Sequence, residues 1–154
     1  MHLTRLSALA ALMMISGFAC AEVRIEGPVE FGVFEGPKAE LQSGERVLRR
    51  SNEQIQTTTV VPAKLGTKFG LRYQLLGKVA EDTPLTLLYF TPGIRTADGQ
   101  RHDKLEVTQK LVPGAPQDVM AYEFTESYEV VPGEWRFMVF QGDRLLTQKS
   151  FTVR

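Results

Sequence analysis

The sequence predicts an antiparallel β-sandwich of about seven or eight strands behind a cleaved export signal. Apolar side chains recur at every second position, and turn pairs rich in Gly, Pro and Asp interrupt that alternation at short intervals. After residue 21, no segment keeps apolar side chains at the three- and four-residue spacing of a helix. Many short strands in a chain of this length fit a sandwich better than a closed barrel.

The elements follow in order. Val23, Ile25, Val29, Phe31 and Val33 hold odd positions with Arg24, Glu26, Glu30 and Gly32 between them. They predict a strand with one buried face, eased at Gly27-Pro28 by an edge or a bulge. Residues 35–54 lose the pattern and read as a long charged connection, with a helical turn near Glu45 to Arg50. Ile55 to Val61 is β-branched and stops at Pro62, and Phe69, Leu71, Tyr73 and Leu75 alternate as a further half-buried strand.

Leu85 to Phe90 is apolar on both parities apart from Thr86, as expected of a central strand covered on both faces. Residues 93–103 form a polar connection before a strand with Leu105, Val107 and Leu111, which ends at Pro113-Gly114. Met120, Tyr122 and Phe124 share a face, and Tyr128 to Val131 runs into Pro132-Gly133, a pair suited to a type II turn. Trp135, Phe137 and Val139 share the next face, which places Trp135 in the core rather than on a sugar-stacking platform. Gly142-Asp143 turns the chain back into Leu145 to Val153.

Residues 1–21 have the anatomy of a signal peptide. Arg5 precedes an apolar run from Leu6 to Phe18, too short for a lasting membrane span. Ala19 and Ala21 supply the small residues before a cut that leaves Glu22 first. Cys20 is not expected to carry lipid, since Phe18 and Gly17 spoil the pattern that lipoprotein processing wants. The expected organisation is a signal over 1–21 and one domain over 22–154, soluble in the periplasm or outside the cell.

Cleavage there removes the single cysteine, so the exported domain can hold no disulfide, thiolate zinc site or cysteine nucleophile. Arg5 also leaves, so 17 Lys and Arg face 18 Asp and Glu, with no basic field to recruit nucleic acid or an anionic membrane. No second apolar stretch is long enough for membrane insertion.

The run Val130-Val131-Pro132-Gly133-Glu134-Trp135-Arg136-Phe137, with Gly142-Asp143 and Phe151-Thr152-Val153, resembles the closing hairpin of bacterial immunoglobulin-like domains. Adding Leu65 to Tyr73 and the opening strand around Phe31 to Glu35, the chain resembles the bacterial domain-of-unknown-function family 3859 over residues 23–153. The resemblance implies a small immunoglobulin-like β domain, often exported. It brings no activity or site residue with it.

Candidate chemistry is sparse. His102 is the only histidine after the signal, and with Asp98 and Asp103 it offers too few ligands for a structural metal site. Asp98-Gly99 is also an ordinary turn pair. Glu123, Glu126 and Glu129 could pair as glycosidase carboxylates, but a solvated acidic edge is the ordinary reading. Gly66-Thr67-Lys68 lacks the upstream glycine and the helix of a phosphate loop. Arg46, Arg49 and Arg50 form a small basic cluster balanced by nearby glutamates.

The sequence therefore leads to an exported, non-catalytic binding module of the bacterial cell envelope, with no cofactor and no metal, whose partner is a protein or an envelope component. Its expected partner-binding loop holds Arg95, Asp98, Arg101 and His102. Two alternatives stand beside it: an inhibitor of an extracytoplasmic hydrolase that uses residues 93–103 as a plug, and a small-molecule or glycan binder.

Overall fold

The structure, a computed structural model, describes residues 22–36 and 53–154. The signal residues, Ala19, Cys20 and Ala21 among them, lie outside the described residues, as do Arg46, Arg49, Arg50 and the helical turn expected near them. Nine strands follow one another: β1 (Arg24–Glu35), β2 (Gln54–Gln56), β3 (Val60–Val61), β4 (Lys68–Leu76), β5 (Leu85–Arg95), β6 (Arg101–Gln109), β7 (Asp118–Glu123), β8 (Gly133–Gln141) and β9 (Arg144–Val153). A short 3₁₀ turn at Ser127–Glu129 sits between β7 and β8.

The strands form two layers, a four-stranded sheet in the order β2-β1-β4-β7 and a five-stranded sheet in the order β3-β9-β8-β5-β6. All pairings are antiparallel except β3 with β9. Alternation explains the core. Phe69, Leu71 and Tyr73 of β4 face Trp135, Phe137 and Val139 of β8, all of them buried. Phe69 is the hub, with ring centroids 5.4 Å from Phe124, 5.7 Å from Trp135, 5.2 Å from Phe137 and 5.4 Å from Phe151.

The register of β1 against β4 slips between Glu26 and Glu30, at the Gly27-Pro28 pair. Proline has no N–H for the ladder, so the irregularity falls where its absence costs least. On the outer face of the same sheet Arg72 holds Glu30 bidentately, at 2.6 and 3.0 Å, and also donates to the Glu53 carbonyl. That guanidinium keeps the Glu30 carboxyl below its usual range.

Four expectations change. The β-branched run Ile55 to Val61 is two strands rather than one, with β2 on β1 and β3 on β9. Between them the Thr58 hydroxyl closes a local turn onto the Val60 amide at 3.0 Å, and the chain crosses from one sheet to the other. The polar connection 93–103 shrinks to residues 96–100, because β5 continues to Arg95 and β6 begins at Arg101. Polar residues on a hairpin at the sheet edge carry no alternation to betray them. Tyr128 to Val131 is no strand, and Pro132-Gly133 ends an inter-sheet crossing instead of closing a hairpin. Gly133 has φ +133° there, and a Cβ on it would fall 2.8 Å from the Pro92 ring.

The fourth concerns β5. Leu85, Leu87 and Tyr89 are buried, but Leu88 and Phe90 on the other face are only half-buried. Beyond the paired strands that flank β5, no described element packs over that face.

Candidate interaction surface

The outer face of the five-stranded sheet is built row by row from strand register. Lys104, Phe90, Arg136 and Ser150 stand side by side across β6, β5, β8 and β9. The next row is Glu106, Leu88, Met138 and Gln148, and the one after it is Thr108, Thr86, Phe140 and Leu145. Side chains directly opposite on paired strands share a face, so Phe90, Leu88, Met138, Phe140 and Leu145 form one apolar column with polar flanks. Leu145 is 40% exposed and the others are half-buried against one another. The Arg136 guanidinium covers the Phe90 ring, 5.0 Å from its centroid. Apolar residues on both parities of 85–90 and at Met138 and Phe140 were the sequence signal for this face, but periodicity could not say whether anything covers it.

The predicted loop residues all lie on the β5–β6 hairpin, beside one end of that face. Arg95 pairs with Arg101, and His102 pairs with Ile94. Asp98 sits in the turn, where its Oδ1 accepts from the Thr96 hydroxyl and from the Gln100 amide. Those two donors, the hydroxyl first, hold its carboxyl below the usual range. Arg101 folds back to donate to the Pro92 carbonyl at 2.8 Å. It crosses Gly93, where a Cβ would fall 2.2 Å from its Nε. The Thr91 hydroxyl donates to the His102 carbonyl at 2.8 Å and accepts from the Gly93 amide at 3.1 Å. The turn is thus braced from both strands, and Arg95 remains exposed at its rim.

The remaining candidates have structural settings. Trp135 is fully buried and donates from its indole N–H to the Val131 carbonyl at 2.9 Å. Glu129, read as part of a solvated edge, is buried: its Oε1 accepts from the Thr125 amide and hydroxyl and the Glu126 amide, and its Oε2 accepts from the Tyr122 phenol. Glu123 is half-buried opposite Lys68. Lys68 itself opens β4 and pairs with Glu53 at 3.2 Å. Among the described residues no three His, Cys, Asp or Glu side chains converge as metal ligands would. A cleft of about 250 Å³ lies at the start of β1, lined by Glu22, Val23, Arg24, Leu76, Gly77 and Arg144. That volume is below the usual range for a small-molecule site.

Two sheets of this order and connection are the arrangement of an immunoglobulin-like sandwich. Residues 22–153 match the family described as Domain of unknown function (DUF3859). The chain belongs to that family. It is similar to an immunoglobulin-like protein from Pseudomonas aeruginosa, known from its crystal structure, with 69% identity and a TM-score of 0.77. The likeness covers 88% of this chain and 99% of that one. No curated protein matches the chain. The DUF3859 sandwich of this chain is therefore immunoglobulin-like, as its closing hairpin led one to expect.

Proposed function

We propose that this chain is an exported, non-catalytic binding module of the bacterial cell envelope that docks a protein on the outer face of its five-stranded sheet. The apolar column of Leu88, Phe90, Met138, Phe140 and Leu145 carries this reading. An aligned apolar stripe with charged flanks suits a protein surface, whose apolar centre excludes water while its rim stays polar. Fold alone says nothing of a partner, so the argument rests on this face.

The test is a photo-crosslinking amino acid in place of Met138, introduced in the producing cell, with adducts identified by mass spectrometry. The expected result is one discrete protein adduct that disappears with Leu145→Glu, a change at an exposed position. No adduct, or an adduct indifferent to Leu145→Glu, would overturn the docking face. Intact mass of the recovered protein reads export in the same sample: a chain beginning at Glu22 without lipid is expected, and a diacylglyceryl-modified Cys20 would refute it.

The inhibitor reading has an observation of its own, the double brace of the 96–100 turn by Asp98 and Arg101. Rigid loops lose little entropy on binding, as an inhibitor's plug requires. A crosslinker at Gly99 that captures a hydrolase, with none captured at Met138, would favour it.

A further inference from the structure

We propose that β6 is a self-pairing edge, and that two copies of the chain join antiparallel through it with Leu105 on the two-fold axis. The two five-stranded sheets would then run on as one sheet of ten. The inference stands whatever the outer face binds.

The first observation is the free edge. β6 is last in its sheet, so among the described residues one whole side of its backbone has no strand beside it. Such an edge invites another strand, and proteins usually blunt it with a bulge, a proline or charge. β6 has neither proline nor glycine. The register irregularity of the β5–β6 pair lies on β5: residues 91–93 stand between the partners of Lys104 and His102, where β6 has only Asp103. All nine residues from Arg101 to Gln109 therefore form an unbroken edge.

The second observation is the order of its charges. With Leu105 opposite its own copy, Lys104 stands opposite Glu106 of the other chain, and Glu106 opposite Lys104. Both are exposed and on one face, since they flank Phe90 and Leu88 in the sheet. His102 then meets Thr108, Asp103 meets Val107 and Arg101 meets Gln109, with no like charges opposed. Leu105 and Val107 face inward and are only partly buried against the core. A second Leu105 would add to the cover of the first.

Neighbouring registers are worse. An axis on Lys104 or Glu106 sets like charges opposite each other, as does one on Asp103. A shift that puts the axis between residues turns inward side chains against outward ones. The register centred on Leu105 combines full length, two opposite-charge pairs and an apolar pair at its centre. A strand that carried only protective charge would have no reason to match itself in this way.

The test is the oligomeric state of the native protein by sedimentation and native mass spectrometry. A concentration-dependent dimer weakened by added salt is expected. Lys104→Glu turns both pairs into Glu opposite Glu, and Glu106→Lys turns both into Lys opposite Lys. Each should weaken the dimer about tenfold or more while the melting curve stays unchanged, because both side chains are exposed. Mixing the two single variants should yield a heterodimer, and the double variant Lys104→Glu/Glu106→Lys should regain the native affinity. A native protein that stays monomeric at its highest soluble concentration would overturn the proposal, including the case in which β6 serves another protein. So would a dimer indifferent to either reversal, or one that mixing fails to restore.

Discussion

Removing the Glu129 carboxylate tests whether this buried acid is the clasp of the crossing from β7 to β8. Its Oε1 accepts from the Thr125 amide at 3.0 Å, the Thr125 hydroxyl at 2.8 Å and the Glu126 amide at 2.8 Å, and its Oε2 accepts the Tyr122 phenol. A hydrogen bond to a charged group contributes about 1.5 to 3 kcal/mol, yet four around one carboxylate do not add. Thr125 and Glu126 are exposed and can turn to water, whereas the Tyr122 hydroxyl is part-buried. Glu129→Ala should therefore cost about 3 kcal/mol, and Glu129→Gln, which keeps one acceptor oxygen, about half of that. Urea denaturation followed by fluorescence is the assay. Trp135 is the single tryptophan, and its ring lies 5.1 Å from that of Tyr122. With Tyr122→Phe the set closes a double-mutant cycle, in which a coupling of about 1 kcal/mol is expected. A Glu129→Ala cost below about 0.5 kcal/mol, or no coupling, would return the residue to a solvated edge and refute the clasp.

Three further outcomes follow from the core. The Tyr73 hydroxyl is buried without a hydrogen-bond partner, and burial, then the nearby Asp118 charge, pushes its ionisation far up. The raised value means that its contribution is intact below about pH 10, where an unfolded tyrosine ionises, and is lost as pH rises further. Tyr73→Phe should raise stability by about 1 kcal/mol at neutral pH and flatten the alkaline limb of a pH–melting curve, and a loss of stability would contradict this. Lys78 and Asp118 pair at 3.1 Å with side chains only 5% exposed. Asp118→Ala should cost about 3 to 5 kcal/mol by stranding the ammonium, while Lys78→Met with Asp118→Leu should cost far less; equal costs would refute the buried-charge argument. Trp135→Ala should cost about 3 to 5 kcal/mol, and native fluorescence should be blue-shifted and resist iodide; ready quenching would contradict its burial.

What the sequence by itself determined was the sheet character and the inward set. Along β4 the order Phe69, Leu71, Tyr73, Leu75, and along β8 the order Trp135, Phe137, Val139, are local patterns. A strand alternates its side chains between two faces whatever lies beside it, so one strand is enough to show which residues turn inward. Turn residues are local too, and Gly142-Asp143 closes the last hairpin where the sequence put it. Tertiary structure alone decided what depends on neighbours. Leu88 and Phe90 join Met138, Phe140 and Leu145 in one column because β5 and β8 pair across a long separation in sequence. Glu129 is buried because a 3₁₀ turn folds it back under Tyr122, and no periodicity encodes that contact. The run Ile55 to Val61 divides between two sheets for the same reason, since its β-branched residues favour extension without naming a partner strand. Side-chain direction is a property of the single strand, whereas pairing, covering and edges are set by strands distant in sequence.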